Sequence, residues 1–184
     1  MLGWLYWDPD RIAFTLPFIN RPIVWYGILF ALGFFLGFYI LLHLFKRFLS
    51  YYPEFIVGNR LNERAMVFSE RLTVYVMVAT VIGARLGHIF FYEKWADYLR
   101  HPLEIIKIWE GGLASHGAII GVLIGIALFY FRSHREFPMI SIPRILDLIV
   151  IPCVFAGSLI RIGNFMNQEV LGVVTKAPWA IVLA

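Results

Sequence analysis

The sequence predicts an all-α fold, a polytopic bundle of four transmembrane helices with its N-terminus outside. Composition is the first reason. Of 184 residues, 60% are hydrophobic, 17% aromatic and only 15% charged, against about half apolar and a quarter charged in a soluble domain. The second reason is four long runs almost free of ionisable residues, and the third is where lysine and arginine fall between them. The chain reads as a single membrane domain over residues 1–184, with residues 1–21 as an outer interfacial N-terminal segment.

The first span is Pro22 to Phe45, 24 residues without Asp, Glu, Lys or Arg. As a helix it covers about 36 Å, enough for a hydrocarbon core of about 30 Å. Leu72 to Tyr92 is the second, interrupted only by Arg85 and His88. Leu113 to Phe131 is the third, with His116 near its start. Ile145 to Phe165 is the fourth, holding Asp147 and Arg161. Lipid cannot satisfy open backbone groups, so each run must be helical.

Orientation follows from the positive residues. Lys46, Arg47, Arg60, Arg64 and Arg71 join spans one and two, and Arg132, Arg135 and Arg144 join three and four. The opposite side holds Arg11, Arg21, Lys94, Arg100, Lys107 and Lys176. The balance puts the N-terminus outside. Aromatic residues such as Trp25, Tyr26, Tyr92 and Trp109 flank the spans as an interfacial belt. No basic block is dense enough for nucleic acid. Asp8 and Asp10 near the start differ from the basic opening of a signal peptide, so the N-terminus is expected to be retained. "APWAIVLA" at 177–184 reads as the beginning of another apolar stretch.

An ionisable group at membrane depth costs about 2.5–3.5 kcal/mol on insertion scales and so needs a reason. Arg85 and His88 share a helix face. Arg161, Asn164 and Gln168 form one stripe, with Asn167 and Glu169 beside it. Glu110 and His116 frame a Gly-Gly-Leu-Ala-Ser stretch. In the expected orientation these groups gather near the outer ends of three spans. Arg161 and Arg85 then suit an anion such as a lipid phosphate, Asn164 adds neutral donors, and His116 can exchange a proton.

Plainer readings stand beside these. Arg85 can snorkel to the interface, and His88 reads as a packed, hydrogen-bonded residue. Asp147 suits an ion pair with Arg144, and the single cysteine, Cys153, an apolar filler. Gly33 with Gly37, and Gly117 with Gly121 and Gly125, read as helix-packing positions.

Four motifs together resemble the prolipoprotein diacylglyceryl transferase family: "VWYGILFALGF" (24–34), "GARLGHIFFY" (83–92), "GGLASHGAIIG" (111–121) and "RIGNFMNQEVLG" (161–172). They occur in the family's order and cover essentially the whole chain. The resemblance implies a multi-pass enzyme of the bacterial inner (cytoplasmic) membrane that uses neither metal nor cofactor. It would move the diacylglyceryl group of phosphatidylglycerol onto the lipobox cysteine of a prolipoprotein signal peptide, releasing glycerol 1-phosphate. Its partners would then be that membrane lipid and that peptide.

By the same resemblance, His116, Arg161, Asn164 and Tyr26 are the candidate catalytic residues. Arg161, Arg85, Glu169, Gly172 and Asn167 are the candidates for substrate binding. The family commonly has Gly where this chain has Gln168, and a second glycine where it has Ala118. The family also continues with further spans and a His-Pro-x-Gln-x-Tyr-Glu motif, so the sequence is expected to be its N-terminal part. Two alternatives remain at this point: an inactive truncated homologue acting in lipid binding or assembly, and an intramembrane proton or anion transporter.

Overall fold

A computed structural model describes residues 5–18, 20–55, 60–93, 98, 101–107, 112–169, 172–175, 177 and 180–183. Four helices dominate it: α1 (Trp25–Leu49), α2 (Leu61–Tyr92), α3 (Ser115–Ser133) and α4 (Ile142–Met166). All four are long and apolar enough to cross a membrane, so the protein is a multi-pass membrane protein. Four short strands accompany them: β1 (Leu5–Trp7), β2 (Ile12–Leu16), β3 (Arg21–Val24) and β4 (Ile181–Leu183).

The helices and the expected spans differ at their ends. Pro22 to Val24 belongs to β3, leaving α1 to start at Trp25. Helix α2 begins at Leu61, well before the apolar run, and carries Glu63, Arg64, Glu70 and Arg71 in its first turns. Apolar content marks the part that lipid can cover, whereas the hydrogen-bond ladder continues wherever polar side chains reach water. The stretch at 181–183 is a strand, its residues Ile181, Val182 and Leu183 pairing in parallel with Leu5, Tyr6 and Trp7.

The chain divides into two compact units, residues 38–151 and residues 1–37 with 152–184. In the first, the core is aromatic. Phe45 stacks on Phe68 at 3.5 Å between ring centroids, and Phe68 meets Phe129 and Phe137 edge to face at 5.1 and 5.3 Å. Leu49, Leu72, Ile126 and Ile145 complete this fully buried cluster. Polar groups fasten the connections around it. Arg64 donates to the Glu136 carbonyl at 3.0 Å, and Arg71 forms an ion pair with the Glu136 carboxylate. Arg144 does not pair with Asp147 as expected. Its guanidinium donates to the Met139 carbonyl at 2.6 Å and lies over the Phe48 and Tyr52 rings.

Towards the other end of the α2–α3 pair, backbone replaces side chain as the packing surface. Gly117 lies against Gly83 and Gly87, Gly121 against Ala79 and Gly83, and Gly125 against Tyr75 and Ala79. Lipid gives helices no hydrophobic reason to associate, so small residues that allow close van der Waals approach hold such pairs together. The expected packing role of Gly117, Gly121 and Gly125 is therefore found, and their partners are the small residues of α2.

In the second unit, β2 and β3 form an antiparallel hairpin in which Phe14 pairs with Ile23 and Leu16 with Arg21. Here Gly33 of α1 packs on Ala156 of α4, and Gly37 on Pro152, with a Cβ at each position meeting its neighbour at 3.2 and 3.5 Å. Gly163 faces Tyr26 in the same way, at 3.1 Å. The first three turns of α1 thus run antiparallel to the last part of α4.

Candidate functional site

In residues 1–37 and 152–184 the site is assembled where α4 ends. The Gly163 contact brings Tyr26 against the 161–172 motif, within electrostatic reach of Glu169 and Arg161. Arg161 is exposed and Asn164 half-buried. Tyr26, Arg161 and Glu169 are therefore brought together.

The way α4 stops explains how Glu169 gets there. Gln168 adopts a left-handed conformation with φ 55°. Its N–H donates to the Phe165 carbonyl at 3.3 Å, while the Glu169 N–H reaches back to the Asn164 carbonyl at 2.8 Å. This pair of bonds is the Schellman arrangement, in which a left-handed residue turns the chain back over the helix end. Such a position favours glycine. A glycine, common at this position in the family the motifs resemble, would meet the requirement that glutamine meets here.

The turn also buries Asn167. Its Nδ2 donates to Glu169 Oε1 at 3.4 Å, while its Oδ1 is buried with no hydrogen-bond partner among the described residues. A buried acceptor without a donor is uncommon and calls for a reason. At Gly172, in contrast, an added Cβ would meet open space, so local packing does not require glycine there.

Trp7 is a contributor to which the sequence alone assigned no role. Its ring stacks on Phe165 at 4.7 Å and its Nε1–H donates to the Phe165 carbonyl at 3.2 Å. A strand near the N-terminus thereby holds the middle of the signature run. The indole in a short aromatic cluster was the available signal, but its partner was 158 residues away.

In residues 38–151, α2 and the start of α3 supply the remaining candidates. His116 is exposed in the first turn of α3. The segment before it is tied to α2 by the Ala114 N–H, which donates to the Ala84 carbonyl at 2.9 Å. Arg85 is buried at 7% exposure and its guanidinium is directed at carbonyl oxygens. Nε donates to Ile105 at 3.0 Å, one Nη to Glu104 at 2.6 Å and the other to Gly112 at 3.3 Å. His88 is packed and bonded as expected, stacking on Tyr92 at 5.7 Å and meeting Glu93 at 3.3 Å. Glu110 lies outside the described residues.

Residues 11–184 match the family described as prolipoprotein diacylglyceryl transferase. The chain belongs to that family. Among its relatives is a protein of Chloroherpeton thalassium, 40% identical over 182 residues, covering 99% of this chain and 60% of the relative. One from Tolumonas auensis is 40% identical over 178 residues, covering 97% and 61%. A third, from Protochlamydia amoebophila, is 33% identical over 263 aligned positions, covering 100% and 70%. All three carry the name phosphatidylglycerol–prolipoprotein diacylglyceryl transferase. The chain thus spans about 60 to 70% of the length of these transferases.

Proposed function

We propose that the protein acts in the transfer of a diacylglyceryl group from phosphatidylglycerol to the lipobox cysteine thiol of a prolipoprotein. Membership of the transferase family across residues 11–184 carries this reading. The cluster of Tyr26, Arg161 and Glu169 at the end of α4 supports it. The setting is the bacterial inner membrane, with the N-terminus at its outer face.

The reaction is substitution at a saturated carbon. The thiolate is the competent nucleophile, so the lipobox thiol first gives its proton to His116. A sulfur–carbon bond then forms at the glyceryl carbon that carries the phosphate. The bond from that carbon to the phosphate oxygen breaks, its electron pair leaves with glycerol 1-phosphate, and His116 releases its proton to solvent or to the product. Arg161, with Asn164, meets the charge growing on the departing phosphate. Tyr26 presents its hydroxyl to the same region. Asn167 Oδ1 is the acceptor for a headgroup hydroxyl, and Glu169, which already holds Asn167 Nδ2, orients it. Because the nucleophile belongs to the peptide, Cys153 has no part in the step.

The test uses the complete protein in native membranes, labelled phosphatidylglycerol and a lipobox peptide. Replacing His116→Gln should lower thioether formation at least about a hundredfold, the usual lower bound for a general base, while the protein still inserts and accumulates. Near-normal lipidation by that variant would remove His116 from the role of base. No thioether from the unsubstituted protein would refute the assignment as a whole.

A further inference from the structure

We propose that Arg85 is a positioning residue, clamping the segment before α3 so that His116 is held in place. The proposal deepens the reading above and rests on its role for His116. An arginine at membrane depth needs partners, and Arg85 finds them in the backbone. Glu104 and Ile105 lie in the 3-10 turn Pro102–Ile106, and Gly112 lies eight residues beyond Glu104. One rigid planar fork thus pins two separate points of the same connection. Tyr98 adds its ring, 5.8 Å from the guanidinium carbon.

The acceptors explain why this arrangement suits a clamp better than an anion site. Three carbonyl oxygens already face the guanidinium, and their partial negative charge would oppose a phosphate approaching the same N–H groups. Gly112 is shaped to match. Its φ is +74°, and a Cβ there would meet Arg85 Nη1 and come within 2.7 Å of His88 Cδ2. Conformation therefore disfavours a side chain here, and any Cβ would have to push the Arg85 fork or the His88 ring aside.

From Gly112 the restraint passes along the chain to His116. Two residues on, the Ala114 N–H bonds to Ala84, the neighbour of Arg85. Gly117 is then pressed against Gly83 and Gly87. His116 sits between these fixed points. Releasing the fork should loosen the approach to α3 and spoil the aim of the imidazole, without removing a group that binds the headgroup.

Two variants of the complete protein test this from opposite sides of the clamp: Arg85→Met removes the fork, and Gly112→Ala obstructs its closure while keeping the charge. Hydrogen exchange over residues 101–107 and 112–114 should speed up about tenfold or more in both, as expected for losing hydrogen bonds to a charged group, with exchange in the middle of α2 and α3 unchanged. In the transfer assay kcat should fall in both while KM for phosphatidylglycerol stays close to that of the unsubstituted protein. Arg85→Lys, which can reach fewer of the carbonyls, should fall between.

Unchanged exchange in either variant overturns the clamp. So does a KM that rises in Arg85→Met alone with kcat preserved, because that pattern belongs to a residue holding the lipid phosphate. Faster exchange with kcat unaltered would overturn the link to His116. If the unsubstituted protein transfers nothing, the functional reading fails, and the exchange arm alone still decides whether the clamp exists.

Discussion

The start of α3 and the end of α4 solve a similar problem by different means. Each carries part of the candidate site on a helix terminus, and each needs one left-handed residue. Before α3 that residue is Gly112, closed in by Arg85 and His88, and the helix that follows rests backbone to backbone on α2. After α4 it is Gln168, a half-buried residue whose turn is held by its own backbone hydrogen bonds and by Trp7 on Phe165. At the first, an added atom displaces Arg85 and His88 at Gly112 and meets backbone at Gly117. At the second, a side chain carries a conformational cost but fits. Close backbone packing gives α3 a fixed register with little room for substitution, whereas the turn after α4 closes through its own backbone bonds with one stacking partner outside it.

The strongest test of this difference is a side chain placed in the glycine seam. In Gly117→Leu the new Cβ would be driven into the Gly83 carbonyl and to 2.7 Å from the Gly87 Cα, both backbone. Overpacking usually costs about 1–3 kcal/mol. Here neither neighbour can rotate away, so the loss should exceed about 3 kcal/mol, the top of that range. Little folded protein should survive extraction into detergent and size-exclusion chromatography. Gly172→Ala, with open space around it, should behave like the unsubstituted chain within about 0.5 kcal/mol. If Gly117→Leu is equally well folded, the two termini do not differ as described.

A smaller effect is expected from Trp7→Phe. The replacement keeps a ring to stack on Phe165 but removes the Nε1–H donor. A neutral hydrogen bond contributes about 0.5–1.5 kcal/mol net, and thermal unfolding in lipid nanodiscs should show a loss in that range. A loss well above it would mean that the strand near the N-terminus supports more than the signature turn.

What could be read from the sequence follows from the range of each interaction. The four helices were legible because bilayer thickness imposes a length on any apolar run, and that length is visible without knowing the fold. The packing role of Gly117, Gly121 and Gly125 was legible from their spacing, and Ala79, Gly83 and Gly87 carry the same four-residue spacing in α2. The residues Tyr26, Arg161 and Glu169 could be nominated from the family motifs, but their meeting depended on Gly163 packing against Tyr26. Arg85 was nominated as an anion ligand because a side chain in sequence displays its charge. Its hydrogen-bond acceptors that the described residues show are carbonyl oxygens, which every residue carries and which leave no trace in the letters. The ion pair expected between Arg144 and Asp147 failed for a related reason: three-residue spacing allows the contact, but the Met139 carbonyl and two aromatic rings compete for the same guanidinium.

The smallest expected effect runs in the opposite direction, towards greater stability. Gln168→Gly removes the Cβ from a left-handed position, relieving about 1–2 kcal/mol of steric cost. Glycine also gives the unfolded chain more freedom, which takes back about 0.5–1 kcal/mol. The net gain should therefore lie between about 0 and 1.5 kcal/mol, seen as at most a modest rise in Tm. Because the bonds from Gln168 and Glu169 to α4 are backbone bonds, the turn should keep its shape, and transfer activity should stay close to that of the unsubstituted protein. A loss of stability would show that the glutamine side chain itself holds the turn. The end of α4 would then depend on side-chain contacts as closely as the start of α3 depends on its glycines.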